Sequence, residues 1–87
     1  MFVLRLICID LENNRIRDLG AKALFKALMH NNTLSKLNLS QNMIGDMCAN
    51  ELREMLENQL TLQELYLKWN NFRSEGGIAI AQGLKRN

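Results

Sequence analysis

Hydrophobic and polar positions follow a single pattern along this chain, and the pattern returns every 28 residues. Each copy alternates apolar and polar residues and then changes to apolar residues spaced four apart. The recurring positions are Leu6, Ile9, Leu11, Asn14 and Ile16 in the first copy, Leu34, Leu37, Leu39, Asn42 and Ile44 in the second, and Leu62, Leu65, Leu67, Asn70 and Phe72 in the third. A period of this length is typical of a solenoid, in which stacked copies share one core.

The two halves of each copy predict a short strand and then a helix. In the second copy Leu37 and Leu39 flank Asn38, an alternation that buries one face of a strand and exposes the other. Further along the same copy, Leu52 and Leu56 lie four residues apart on one face of a helix.

The limits of the helices are marked at equivalent positions. The residues before the helical spacing are Asp18, Asp46 and Ser74. Short polar side chains there can accept the free backbone N–H groups of the first helical turn. The predicted helices cover about 18–30, 46–58 and 74–86. They end near Asn31, Gln59 and Asn87, and asparagine tolerates the left-handed backbone that often follows a helix.

The alternation of strands and helices predicts an α/β solenoid. Successive strands that are joined through a helix lie parallel and adjacent in one sheet, so the helices would line the outside of a curved sheet. The chain of 87 residues is predicted to form one domain of three repeats, about 4–31, 32–59 and 60–87.

Three asparagines, Asn14, Asn42 and Asn70, occupy the place where each predicted strand ends. The chain bends sharply there, and its backbone groups would be buried without partners. A primary amide both donates and accepts hydrogen bonds, so stacked asparagine side chains can satisfy those groups. The simpler explanation is that asparagine favours turns. The strict equivalence of the three positions favours a structural asparagine ladder.

Composition narrows the possible functions. The chain is 47% apolar and 23% charged, as in a globular protein. A net charge of +2, spread over both signs, predicts no nucleic-acid partner. No apolar run approaches the ~20 residues of a membrane span, so no membrane partner is predicted. Cys8 and Cys48 do not form a disulfide framework, which favours free thiols and a cytoplasmic location.

The run Leu-x-x-Leu-x-Leu-x-x-Asn-x-Ile, from Leu34 to Ile44, resembles the leucine-rich repeat. The helical half, with Gly20 and Gly76 at its start, looks like the ribonuclease-inhibitor-like subclass. The resemblance covers nearly the whole chain and implies a horseshoe whose concave sheet face binds partners. Cys48 departs from the pattern, because the other copies have glycine at that position.

The strand positions that face away from the core form the predicted recognition surface, because their side chains stand on a rigid sheet. Tyr66 and Trp69 are its predicted anchors, since such aromatics are enriched among binding hot spots. The alternative is ordinary packing and solvated surface. The predicted partner-binding residues are Asp10, Glu12, Lys36, Asn38, Glu64, Tyr66, Lys68 and Trp69; Cys8, Asn13, Ser40 and Gln41 are predicted to face the same way.

No catalytic residue, cofactor or metal site is predicted. His30 is the only histidine, and its neighbours supply neither a nucleophile nor a carboxylate. No Cys/His cluster has zinc spacing, and no glycine-rich loop is of the phosphate-binding type. Cys8 has only Lys36 as a possible electropositive neighbour, which favours an ordinary surface thiol.

The leading hypothesis is a non-enzymatic protein–protein interaction module. One alternative is a regulator of another enzyme, of the GTPase-activating or inhibitor type, with Arg15 or Arg73 acting in trans. A second alternative is a purely structural scaffold segment. Terminal repeats normally carry a polar outer face, and this chain shows none. The sequence therefore predicts part of a longer array, or self-association through uncapped ends.

Overall fold

The computed structural model describes residues 7–86, so Leu6 and Asn87 of the predicted pattern lie outside the described residues. Within this range strands and helices alternate as β1 Ile7–Asp10, α1 Arg17–Leu28, β2 Leu34–Asn38, α2 Ala49–Asn58, β3 Glu64–Tyr66 and α3 Ser74–Arg86. A 3₁₀ turn, Asp46–Cys48, leads into α2. The strands are parallel and ordered β1-β2-β3, which confirms the predicted α/β solenoid.

From Cys8 onward, residues that are 28 positions apart in the sequence pair with each other in the sheet. Equivalent residues of neighbouring copies lie level with one another: Cys8 with Lys36 and Glu64, Ile9 with Leu37 and Leu65, and Asp10 with Asn38 and Tyr66. Each of these paired strand positions therefore forms a row that crosses the strands at their spacing of ~4.8 Å. At the start of β1 the register shifts, and Ile7 lies level with Leu34.

The core lies between the sheet and the helices, and it is most complete in the second copy. The side chains with no exposed area include Phe25, Leu37, Leu39, Ile44, Leu52 and Met55. Each large apolar side chain buried in this way contributes about 1.5–3 kcal/mol. Leu65, Leu67 and Ile80 of the third copy are only partly buried. Leu84 lies four residues after Ile80 on the same face of α3, and it is 60% exposed.

Asn42 joins all three copies at the ends of the strands. Its Oδ1 accepts the N–H groups of Asn14 and Ile16 at 2.8 and 3.3 Å. Its Nδ2 donates to the carbonyl of Leu11 at 2.9 Å and to that of Ser40 at 3.0 Å. In turn, the backbone N–H of Asn42 donates to Oδ1 of Asn70 at 3.0 Å. We call Asn14, Asn42 and Asn70 the asparagine ladder.

A second ladder stands where the chain returns from helix to strand, formed by Asn31 and Gln59. Asn31 Oδ1 accepts the N–H groups of Thr33 and Leu34 at 3.0 and 2.8 Å. Gln59 holds the equivalent turn of its own copy through Oε1. Its Nε2 also reaches the carbonyls of Leu28 and Asn31, at 2.8 and 2.9 Å. We call this pair the return ladder.

The return ladder corrects the reason that was predicted for asparagine at the helix ends. The predicted end positions agree with the structure: α2 ends at Asn58 and α3 at Arg86 as expected, and α1 ends at Leu28, two residues early. Among the described residues other than glycine, the left-handed backbone occurs at Asn13, Arg15, Arg17, Gln41, Met43 and Trp69, and not at Asn31. Asn31 stands at its position because its side chain ties the turn, and backbone freedom is not the reason.

Asp18 and Asp46 do not cap their own helices, so that prediction was wrong. Asp18 Oδ1 accepts the backbone N–H of Gly45 at 2.6 Å, and Asp46 Oδ1 accepts that of Arg73 at 2.8 Å. Both acceptors thus serve the following copy, because stacking brings its free N–H groups beside the carboxylates. A Cβ on Gly76 would lie 2.5 Å from Asp46 Oδ1 and 2.6 Å from Phe72 Cδ1, so any other residue at this position would require these side chains to shift.

Cys48 fills the core at the place where the other copies have glycine. Its side chain is fully buried, and its Sγ donates to the carbonyl of Gly45 at 3.2 Å. Burial, followed by the neighbouring Asp18 carboxylate, raises the pKa of the Cys48 thiol to about 12. The thiol is therefore protonated and unreactive at neutral pH.

We expect Asn42→Ala to lower the free energy of unfolding by about 2–4 kcal/mol. The substitution leaves buried N–H and C=O groups without partners, and each such group costs about 1–3 kcal/mol. Urea denaturation followed by circular dichroism measures the change.

Asn14→Ala is the matched control, because Asn14 is exposed and its amide donates to the carbonyls of Leu11 and Glu12. Its loss should be about 1 kcal/mol or less, since water can replace those partners. Equal losses for the two variants would contradict a ladder in which the central rung carries the most stability.

Candidate functional site

The exposed side of the sheet presents the side chains that alternate with the core. We call it the open face, and it comprises Cys8, Asp10, Lys36, Asn38, Glu64 and Tyr66. Because Ile9, Leu37 and Leu65 point the other way into the core, these polar residues cannot turn inward without breaking it. The fold thus brings five of the predicted partner-binding residues together on one surface.

Three side chains of the open face are joined to one another. Lys36 Nζ lies 2.9 Å from Glu64 Oε2, across the β2–β3 pair. The Tyr66 hydroxyl donates to Glu64 Oε1 at 3.2 Å. One carboxylate therefore contacts both an ammonium group and a phenol, and Tyr66 keeps 44% of its surface exposed.

The network shifts two titrations in opposite directions. The hydrogen bond and the charge of Glu64 raise the pKa of Lys36. The hydrogen bond from Lys36 lowers the pKa of Glu64, and the bond from Tyr66 acts in the same sense. Both shifts favour the charged forms, so the pH range in which the ion pair exists is widened at each end.

A shallow cleft of about 240 Å³ lies in the open face, between Cys8, Asp10, Lys36, Asn38 and Tyr66. Cys8 is a free, exposed thiol, and it stands level with Lys36 on the neighbouring strand, where the sequence had suggested a contact. The cleft combines an acid, a base, an amide and a phenol, which are groups that bind polar partner side chains.

The other predicted contact residues follow the strands instead of lying on them. Glu12, Lys68 and Trp69 are exposed and occupy the turns that begin after β1 and β3. Ser40, predicted to face the partner, is 3% exposed, and its Oγ accepts the N–H of Lys68 at 3.2 Å. Ser40 is buried because the turn of the third copy lies against it.

Trp69 and Tyr66 line different surfaces of the protein. It lines an open groove with Asn13, Gln41, Met43 and Asn71, whereas Tyr66 lines the cleft of the open face. We call these five residues the edge groove. Sequence reasoning missed Met43 and Asn71, although both stand one residue beyond a ladder asparagine, at equivalent positions of the repeat.

The described part of the chain holds no group of His, Cys, Asp and Glu side chains that could bind a metal ion. None of the helices in residues 7–86 has the length and apolar character that crossing a membrane requires. His30 is exposed, just beyond the end of α1.

A family model described as Leucine Rich repeat matches residues 6–25, 30–46 and 58–81, which is more than half of the chain. Protein NLRC5 of Mus musculus is 40% identical over 76 residues, covering 87% of this chain and 4% of that protein. NACHT, LRR and PYD domains-containing protein 3 of Rattus norvegicus is 36% identical over 76 residues, covering 80% of this chain and 7% of that protein. The chain thus spans less than a tenth of each relative.

Among solved structures, the tropomodulin C-terminal domain of Caenorhabditis elegans superposes on this chain with a TM-score of 0.76. The match covers 95% of this chain and 49% of that one, at 20% sequence identity. A likeness at this identity shows the fold alone.

We expect Lys36→Met to raise the pKa of Glu64 toward its ordinary value, because the ammonium group that stabilises the ionised carboxylate is gone. In the wild type the ion pair stabilises the fold above the ordinary pKa of Glu64. That contribution is lost as the pH falls through the lowered pKa of the folded state. Carbon-13 NMR of the Glu64 carboxyl group measures the titration.

Lys68→Met is the control for charge alone, since Lys68 is an exposed cation near the same strand. It should leave the Glu64 titration in place. Equal shifts in the two variants would show that general charge, rather than the Lys36 contact, sets the pKa of Glu64.

Proposed function

This chain belongs to the leucine-rich repeat family, and we propose that it is a non-enzymatic module that binds a protein partner through the open face of its sheet. The observation that carries the proposal is the network of Lys36, Glu64 and Tyr66, which orders three exposed side chains before any partner arrives. A preordered surface loses less side-chain entropy on binding than a mobile one.

We propose that the partner contacts the eight predicted residues, Asp10, Glu12, Lys36, Asn38, Glu64, Tyr66, Lys68 and Trp69. The distribution of charge supports a direction for this contact. Asp10 and Glu12 are acidic at the β1 side, Lys68 is basic beyond β3, and the charge of Lys36 is balanced by Glu64. A fitting partner carries basic groups opposite β1 and acidic groups opposite Lys68.

Two finer assignments accompany this proposal. We assign the chain to the ribonuclease-inhibitor-like subclass, because each copy of 28 residues contains a helix and Gly76 at the start of α3 packs closely against Asp46 and Phe72. We assign it to the cytoplasm, because Cys8 and Cys48 are both free thiols, as expected in a reducing compartment.

We further propose that the chain is a scaffold segment within a longer array, whose next repeat covers the β3 and α3 side. Ile78 is 56% and Leu84 60% exposed, although both are apolar. An open cleft of about 240 Å³ on this side is lined by Leu56, Gln59, Leu62, Gln63, Glu64, Leu65, Leu67, Ile80 and Leu84. Repeats of a solenoid bury such surfaces against their neighbours.

The open-face proposal is tested first by photo-crosslinking in cells. A benzophenone amino acid replaces Lys36 in one variant and Glu54, an exposed residue of α2, in a second. We expect one protein to be captured from position 36 and not from position 54. Capture of the same protein from both positions would contradict an open-face site.

The captured protein is then purified and titrated against the wild-type chain and Tyr66→Ala. We expect the dissociation constant to rise about 30-fold, since truncation of an aromatic hot spot costs on the order of 2 kcal/mol. Glu54→Gln is the control and should bind as the wild type does. A change below about threefold in Tyr66→Ala would remove Tyr66 from the site.

The array proposal predicts that the isolated chain associates with itself through the exposed apolar side. Sedimentation velocity over a concentration series should show a rising average mass for the wild type. The double variant Ile78→Lys/Leu84→Lys should remain monomeric, because two charges on this side oppose its burial. A wild-type chain that stays monomeric throughout the series contradicts the prediction.

A further inference from the structure

The edge groove is a second surface, separate from the open face. Its volume is about 500 Å³, and it is lined by Asn13, Gln41, Met43, Trp69 and Asn71. One lining residue comes from the first copy and two come from each of the others. The groove therefore runs across the strands, along the stacking direction of the solenoid.

The lining residues have a consistent chemistry. All five are uncharged, three are primary amides, and the other two are an indole and a thioether. Each amide can donate and accept hydrogen bonds, so it can pair with a peptide carbonyl. Trp69 is 81% exposed and supplies a large, flat apolar surface with one N–H donor.

The backbone fixes the direction of these side chains. Asn13, Gln41 and Trp69 occupy equivalent positions, and all three have φ of 58° in the left-handed region. The N–H of Asn13 donates to the carbonyl of Ser40 at 3.0 Å, and that of Gln41 to the carbonyl of Lys68 at 2.8 Å. Asparagine adopts this backbone readily, whereas a bulky residue there is uncommon. The indole is thus presented outward by a strained turn.

We propose that the edge groove binds an uncharged, proline-rich segment of a protein partner in the polyproline II conformation. This inference goes beyond the proposed function, which concerns the open face. A proline ring packs on the exposed face of Trp69, and the amides of Gln41 and Asn13 donate to carbonyls of the segment. Such a segment has no internal hydrogen bonds, so its carbonyls are available.

Three residues of an extended segment span the groove, in polyproline II as in a β-strand. Asn13 and Trp69 lie two copies apart, and two strand spacings amount to ~9.6 Å. One turn of polyproline II contains three residues and advances ~9.3 Å. Residues i and i+3 of the segment therefore meet equivalent positions of the first and third copies. Aromatic-lined grooves recognise this conformation because it is already ordered before binding.

The uncharged lining of the groove argues against charged ligands. An acidic peptide or a nucleic-acid backbone gains its binding energy from Lys and Arg, and the lining residues include neither. A basic segment would lose hydration without an acidic partner. An uncharged segment needs no ion pair in the groove and loses no hydration of a charge.

The test is a titration with a capped oligoproline of about nine residues, which forms three turns of polyproline II. Trp69 is the only tryptophan in the chain, so its fluorescence reports on the groove alone. We expect a saturable change with the oligoproline and none with a capped Gly-Ser peptide of equal length, which is flexible and equally uncharged. Cellohexaose, a neutral oligosaccharide, serves as the third ligand and should also give none.

Two variants locate the site by calorimetry. Trp69→Asn should weaken oligoproline binding at least about tenfold while preserving the fold, because asparagine suits the left-handed backbone that Asn13 adopts. Gln41→Ala should weaken it about fivefold, the equivalent of one hydrogen bond. Glu54→Gln on the outer helices should bind as the wild type does.

The proposal is overturned if the Gly-Ser peptide binds as tightly as the oligoproline, or if the oligoproline gives no saturable change. It is also overturned if cellohexaose binds in its place, or if a folded Trp69→Asn chain binds as the wild type does. Trp69 is also one of the eight proposed contacts of the open-face partner, so the two proposals are told apart by Tyr66→Ala, which leaves every lining residue of the edge groove unchanged.

Discussion

The structure depends on one constraint, which is that the backbone leaving each strand must find its hydrogen-bond partners in the neighbouring copy. Asn42 meets this constraint with its whole amide, which accepts two N–H groups and donates to two carbonyls. Most of these partners belong to the first copy, so stacking and local folding cannot be separated. This explains why the core is most complete in the second copy, which has a neighbour on each side.

The other regular features follow from that contact. The asparagine ladder fixes how the turns after the strands stack on one another. The return ladder of Asn31 and Gln59 does the same for the turns at the opposite end of the strands. A sheet that is tied at both ends keeps a fixed register, so Lys36 and Glu64 meet at 2.9 Å without a dedicated loop to position them. The stacking of the copies therefore determines where the side chains of the open face lie.

The sequence predicted the features that repeat within one copy. Strand alternation, helix positions and the parallel sheet all arise from local spacing, which a period of 28 residues makes visible. Contacts between copies were harder to predict from the sequence. Asp18 looks like a helix cap, but its carboxylate reaches Gly45, because the neighbour's free N–H is brought closer by stacking. Trp69 was grouped with Tyr66 because the alternation of strand residues does not show where the strand ends and a turn changes the direction of the side chains.

The separation of the two aromatic residues follows from backbone geometry. Tyr66 ends β3, where the pleat directs its side chain to the open face. Trp69 comes three residues later with φ of 58°, and its indole lies in the edge groove. An asparagine at that position would relieve strain, and an indole that is 81% exposed recovers little energy from burial. Trp69 therefore lowers the stability of the fold, and a role in binding can explain why it is present. The hydrogen bonds of the asparagine ladder keep the turn in this strained conformation.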